Sequence, residues 1–345
     1  MPPIIRSIIL SFLTTWFFIW LLKPAALRLG FVDHPGGRKQ HPHPIPLIGG
    51  LVIFGGFCFG LLSIHMSLQP YRGMIAAAIL LVIVGAVDDL YDVHFRVKLV
   101  GQILAALFLV FWGNLILEKP GSLFFLGEVN FGNWGVLVTI FLVMMYINAI
   151  NFLDGIDGLA AGVSFFQILF LLFFAWQLHS LDWNLLLILL VPIFIFLLFN
   201  FPFPGRQAAH MFLGDAGSML LGLLIVYFIL HLSQINITQV SPVLLLWVIA
   251  FPIFDLAAIA LHRILKGQSP FAADRKHIHH LLHALGLKDG WVTLMLILFS
   301  IALGIVGVLL KHYISNSLLF WLLVILFFVY FGVTEWLRHF VRGKW

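Results

Sequence analysis

Residues 71–92 read YRGMIAAAILLVIVGAVDDLYD. Between Arg72 and Asp88 the run carries no charge, and then Asp88, Asp89 and Asp92 follow without a polar lead-in. A helix needs about 20 apolar residues to cross a hydrocarbon core, and this one is apolar on every side, which an amphipathic helix of a water-soluble domain is not. The stretch therefore predicts a membrane-spanning helix whose far end bears acids.

Working outward, runs of the same kind recur along the chain. Eleven are visible, at 4–22, 46–65, 71–87, 97–116, 134–153, 159–179, 184–200, 213–232, 242–264, 291–310 and 318–337. The 345 residues are 62% hydrophobic and 10% charged, against about 45–50% and about 25% in an ordinary soluble domain. The fold class expected is an all-α polytopic membrane protein with about eleven transmembrane helices. With no repeat, low-complexity tract or linker in view, residues 1–345 read as one domain, and the first run reads as a retained helix because it lacks a small-residue cleavage site. Cys58 is the only cysteine and lies inside an apolar run, so it forms no intramolecular disulfide and reports nothing about redox compartment.

Positive charge is retained in cytoplasmic loops. One set of loop ends holds fifteen of the nineteen Lys and Arg residues, from Lys23 to Lys344, and the other holds Arg6, Arg72, Lys119 and Lys311. This split predicts an N-terminus outside and a C-terminus in the cytoplasm. It also accounts for the net charge of +5, so nucleic acid is not an expected partner. Of fourteen acidic residues only Glu118, Glu128 and Asp182 fall in outside loops. Polar groups near a bilayer are costly unless they serve a purpose, and here they gather on the cytoplasmic side in five clusters.

The first is Arg38-Lys39-Gln40-His41-Pro42-His43, before Gly49-Gly50. It is either a charge anchor leading into a proline-stiffened helix start or a basic rim that meets nucleotide phosphates, with Lys39 and His41 as the contacts. The second is Asp88-Asp89 with Asp92, followed by His94, Arg96 and Lys98. On a continuing helix the three carboxylates share one side, where their mutual repulsion invites a divalent metal or basic side chains. The third is Asn148-Ala149-Ile150-Asn151-Phe152-Leu153-Asp154-Gly155-Ile156-Asp157-Gly158. Asn148, Asn151 and Asp154 step by three along one arc, offer oxygen donors suited to Mg²⁺ or Mn²⁺, and precede glycines that permit a sharp turn. The fourth, Gly214-Asp215-Ala216-Gly217-Ser218, either caps a helix through Asp215 or supplies a metal ligand across the bundle. The fifth is Ser269-Pro270-Phe271 through Asp274-Arg275-Lys276-His277-Ile278-His279-His280. Its histidines lack cysteine partners for zinc and read better as donors to phosphate or sugar oxygens. Asp255, buried in the ninth run, either joins the site or pairs with a neighbouring helix. The outside loop 117–133 is expected to form a small hairpin.

Taken in this order, the five clusters resemble the polyprenyl-phosphate N-acetylhexosamine-1-phosphate transferases, from Lys39 to His280. The block Ser269-Pro270-Phe271 with Asp274-Arg275-Lys276-His277-Ile278-His279-His280 looks like the WecA and TagO branch rather than the MraY branch. The resemblance implies an enzyme of the bacterial inner membrane with its cleft at the cytoplasmic face. It would move GlcNAc-1-phosphate from UDP-GlcNAc to undecaprenyl phosphate, releasing UMP, at the first membrane step of O antigen, enterobacterial common antigen or a related envelope polysaccharide. It further implies that Asp215 and Asn151 hold Mg²⁺ or Mn²⁺ and that Asp88, Asp89 and Asp92 belong to the catalytic group. Asp157 falls where the family contacts uracil and Lys98 where it meets phosphate, with Asn148 and Asp154 also in the site. Arg275, His277, His279 and His280 would lie near the diphosphate and the sugar. Asp88 would act as base, as orienting group or as a phospho-aspartate nucleophile.

Three other readings differ in kind. The same chemistry with another UDP-HexNAc donor would keep the whole site. A lipid-phosphate or nucleotide-sugar transporter would place polar sites near the bilayer midplane, and an intramembrane prenyltransferase would use Asp88-Asp89-Asp92 but leave Asp215 and the histidine loop without a task. A homodimer is compatible with an apolar helix face left for pairing.

Overall fold

The computed structural model describes residues 3–34, 43–125, 127–205, 208–269 and 277–341. It consists of α1 (Pro3–Leu29), α2 (Gly49–Leu62), α3 (Arg72–Tyr91), α4 (Phe95–Leu107), α5 (Gly135–Leu153), α6 (Leu159–Gln177), α7 (Asp182–Asn200), α8 (Gly214–Ile235), α9 (Pro242–Val248), α10 (Ala250–Leu265), α11 (Ile278–Ala284), α12 (Asp289–Leu310) and α13 (Asn316–Phe340). The only sheet among the described residues pairs β1 (Val32–Asp33) with β2 (Ile45–Pro46) antiparallel. The protein is thus an all-α polytopic membrane protein.

Nine helices are long and apolar enough to cross a membrane among the described residues. The ninth apolar run of the sequence is broken instead: α9 and α10 meet at Ile249 with a bend of 79°. Pro252 sits in the first turn of α10, where its missing N–H leaves no helical bond unmade. The second run gives a helix of 14 residues, shorter than the 46–65 expected: Pro46 is drawn into the sheet at one end, and at the other the helix stops at Leu62, where the Ser63 hydroxyl and N–H donate to the Gly60 carbonyl.

The bundle is organised around α8, which is buried along nearly its whole length and packs against α2, α3, α5 and α6. In lipid, helices associate through close packing at small residues, and this helix is approached at glycines. A Cβ on Gly50 of α2 would lie 2.2 Å from the Gly217 nitrogen, one on Gly85 of α3 would lie 2.3 Å from the Ala216 Cα, and one on Gly222 would lie 2.8 Å from the Ile147 Cα of α5. Two of these contacts fall in the first turn of α8. They bring the start of α2 and the C-terminal end of α3 against the N-terminal end of α8, which is where the acidic clusters lie.

At the opposite end of these helices, Asp182 is fully buried and accepts hydrogen bonds from Tyr71 at 2.8 Å and Ser180 at 2.9 Å, with His231 Nδ1 at 2.8 Å. The hairpin expected in 117–133 is a single antiparallel bridge between Gly121 and Val129.

Candidate active site

Asp88 and Asp89 occupy the last turn of α3. The helix does not continue to Asp92, which is exposed and turns left-handed at φ 46°, its N–H donating to the Asp88 carbonyl at 2.8 Å. The shared helical side expected for the three carboxylates therefore holds for Asp88 and Asp89 but not for Asp92. After the turn, His94 caps α4 through Nδ1, which accepts the Arg96 N–H at 3.3 Å. The new helix carries Lys98 back over the acids: its Nζ lies 2.9 Å from Asp88 Oδ2 and 2.8 Å from Asp215 Oδ2.

Asp89 does something the sequence did not suggest. Its two oxygens accept the backbone N–H groups of Asp215 at 2.8 Å and Ala216 at 3.2 Å, so a carboxylate from α3 caps α8. Helix N-termini present unpaired donors and favour negative charge. Gly214, at φ +72°, makes the turn possible, since a Cβ there would come within 2.6 Å of Asp89 Oδ2.

Asp215 is also met from α5. Asn151 Nδ2 donates to Asp215 Oδ1 at 2.9 Å and to Ser218 Oγ at 2.9 Å. Asn148, one turn earlier, faces another way: its amide donates to Gln102 Oε1 of α4 at 2.7 Å and to the Met144 carbonyl at 2.7 Å. Gln102 is 2% exposed, and as a lone amide in an apolar run it could have been singled out from sequence.

Beyond Leu153 the chain leaves the helix. Burial pushes the Asp154 carboxyl well above the usual carboxylate range, and the carboxylates of Asp215, Asp89 and Asp157 reinforce the shift. Asp157 is half-buried, its backbone carbonyl accepting Thr293 Oγ1 of α12 at 2.9 Å. Gly158 closes the turn at φ +76°, and its N–H donates to Asn200 at 2.8 Å. Asn200 and Thr293 are scaffolding that sequence reasoning missed; Asn200 carries the same signal as Gln102, an amide at the end of an apolar run.

The histidine segment reaches this turn. His279, 1% exposed, packs so tightly on Gly155 that a Cβ there would be 2.4 Å from its Nε2. Burial, with the neighbouring His280, lowers its imidazole to about 3, so it is neutral at physiological pH. The His280 ring centroid lies 4.2 Å away, and the His277 ring lies between Phe152 at 5.4 Å and His279 at 5.8 Å. Lys39, His41 and Arg275 lie outside the described residues.

The ends of α3, α5 and α8, the start of α4, the 154–158 turn and the start of α11 are thus brought together by contacts between their side chains and backbone. Among the described residues no three His, Cys, Asp or Glu side chains form a ready-made metal cage. One observation nevertheless suits a cation: Lys98 takes the Oδ2 atoms of Asp88 and Asp215, but Asp88 Oδ1 is buried without a hydrogen-bond partner among the described residues. A buried polar atom left unpaired calls for an ion or water, and the donors around it are hard oxygens.

Residues 71–233 match the model of glycosyl transferase family 4. The chain is similar to the undecaprenyl-phosphate alpha-N-acetylglucosaminyl 1-phosphate transferase of Yersinia pestis, with 36% identity over 88% of this chain and 83% of that protein. The proteins of the same description from Escherichia coli strain K12 and Haemophilus influenzae share 34% identity, covering 94% and 97% of this chain and 89% and 97% of the relatives.

Proposed function

The chain belongs to glycosyl transferase family 4, and from this premise we propose that it transfers GlcNAc-1-phosphate from UDP-GlcNAc to undecaprenyl phosphate, giving undecaprenyl-diphosphate-GlcNAc and UMP. This is the opening membrane step of an envelope polysaccharide such as O antigen or enterobacterial common antigen. We read residues 1–345 as one transferase domain of the bacterial inner membrane, N-terminus outside and C-terminus in the cytoplasm, with the cleft on the cytoplasmic face. The Lys and Arg distribution supports that orientation, and eleven crossings would require α2 and the bent α9–α10 pair each to count as one.

The observation that carries the reading is the junction of Asp88, Lys98, Asn151 and Asp215 from four helices around a buried carboxylate oxygen that lacks a partner. Both substrates are anions, so a site for their reaction must supply positive charge. Lys98 supplies one such charge, and Asp215, Asn151 through its amide oxygen, and Asp88 are the donors that would hold Mg²⁺ or Mn²⁺. When bound, the ion neutralises the diphosphate and the charge developing on UMP.

An oxygen of the lipid phosphate attacks the phosphorus that carries the sugar. The bond from that phosphorus to the bridging oxygen breaks, the electron pair leaves with UMP, and the anomeric bond is untouched. A phosphate monoester ionises a second time near a pKa of about 6, so the nucleophile needs little help losing its proton. Asp88, fixed by Lys98, is best suited to orient it. Asp89 serves as a positioning residue that holds the first turn of α8 in place. The neutral imidazole of His279, with the rings of His277 and His280 beside it, lines the side on which Asp157 meets the donor.

The transport reading is set aside because Asp88, Lys98, Asn151 and Asp215 meet at one end of the helices, beside the start of α8, instead of midway along them. The test is a reaction of purified protein with UDP-GlcNAc, undecaprenyl phosphate and Mg²⁺, with the lipid product identified by mass. UMP and a lipid diphosphate-GlcNAc in equal amounts are expected. Failure to form either, or preference for a different UDP-HexNAc, overturns the assignment of reaction or of donor respectively.

A further inference from the structure

Asp255 lies in α10, 2% exposed, and the chemistry above makes no use of it. Three groups converge on its carboxylate. His277 Nδ1 lies 2.7 Å from Oδ2, while the Ile278 N–H and the Tyr330 hydroxyl each donate to Oδ1 at 3.0 Å. One buried carboxylate thus joins α10 to the start of α11 and to the middle of α13.

If this were only a staple between helices, its consequences would end there. They do not, because a carboxylate can only accept from the ring, so Nδ1 carries the proton. The other ring nitrogen, Nε2, takes no part in this bond. The ring so oriented lies against Phe152, the residue after Asn151, and is nearly parallel to His279, with an interplanar angle of 12°. His279 in turn is seated on Gly155, with both ring nitrogens buried and lacking hydrogen-bond partners among the described residues. The stance of one imidazole therefore sets that of the next, and the pair forms the wall facing the 151–158 turn.

We propose that Asp255 is a positioning residue for the transfer: it fixes the tautomer and ring plane of His277, and through that ring the seat of His279, so that this wall is ready for the diphosphate and sugar of the donor. The proposal rests on the transferase reading above. The arrangement parallels the carboxylate–histidine pairs behind metal ligands, in which loss of the outer partner typically costs about 10–100-fold in metal affinity or activity.

A double-mutant cycle tests it, with kcat and KM for UMP release measured in Asp255→Asn, His277→Gln and the double variant, using UDP-GlcNAc, undecaprenyl phosphate and Mg²⁺. Asp255→Asn is expected to lower kcat by about 10–100-fold while donor KM moves far less. The double variant is expected to be no slower than His277→Gln alone, since residues acting through one another do not add. Wild-type kcat in Asp255→Asn, or losses that multiply in the double variant, overturn the proposal. Should Asp255→Asn fail to fold, Tyr330→Phe decides in its place: it removes one donor and is expected to lower kcat by about fivefold, an effect absent in the His277→Gln background and, if present there, contrary to the proposal. Wild-type protein that releases no UMP would overturn the transferase reading and this proposal together, whereas wild-type turnover with an indifferent Asp255→Asn overturns the positioning role alone.

Discussion

Asp89, at the end of α3, accepts the backbone N–H of Asp215, at the start of α8, at 2.8 Å. The second of the paired aspartates is thereby committed to holding the helix that presents Asp215, while the first remains in the cleft with Lys98.

That division predicts different consequences for the two acids. Asp89→Ala leaves two N–H groups of α8 without their cap, a loss on the order of 1–2 kcal/mol. Transfer and thermal stability should fall together, and a melting curve in detergent beside an activity assay checks this. Loss of activity with an unchanged melting temperature would move Asp89 from scaffold to chemistry.

Asp88→Asn should retain the wild-type melting temperature and lose about 100-fold in kcat at every pH from about 6 to 9.5. The argument is that the lipid phosphate is already largely dianionic above a pKa of about 6, so orientation rather than proton removal is what the variant lacks. A pH–rate profile gives the answer: recovery at high pH would assign Asp88 as a base.

Gly85→Ala places a methyl 2.3 Å from the Ala216 Cα, where backbone must give way. Overpacking of this kind costs about 1–3 kcal/mol, and because it parts α3 from α8 at the cleft, transfer should drop at least about tenfold for each 1.4 kcal/mol lost from the active arrangement. Gly332→Ala in α13, where no heavy atom lies within 4 Å, is the matched control and should change neither stability nor rate.

His279 gives the protein a pH-dependent stability whose sign is fixed. Its imidazole is held down to about 3 from an ordinary 6.5, so the folded form stays unprotonated where the unfolded chain takes up a proton. Stability from this group is fully present above pH 6.5 and is lost progressively as pH falls toward 3. Melting temperatures measured from pH 7.5 down to 5 should decline less steeply in His279→Gln than in the wild type. Equal slopes would show that the ring titrates normally.

Much of this was open to sequence reasoning because membrane helices announce themselves by length and composition, and polar residues beside them stand out. Asp88, Asn151 and Asp215 are conspicuous at the ends of apolar runs for that reason. What could not be read depends on contacts distant in the chain. The left-handed turn at Asp92 is a local backbone choice that removes it from the helical side it was expected to share. The cap that Asp89 provides, the commitment of Asn148 to Gln102, and the bonds from Asp255 to His277 and Tyr330 each join residues from different helices, and spacing along one helix carries no information about them. The break between α9 and α10 left only Pro252 as a trace.

The most direct test of the cleft itself is Mn²⁺ binding, followed by electron paramagnetic resonance, in wild-type protein and in Asp215→Asn, each with UMP present. One ion per chain in the wild type, with affinity at least about tenfold weaker in Asp215→Asn, is the result expected of a cation held where α3, α4, α5 and α8 meet. Equal binding in the two proteins, or none in either, would contradict it.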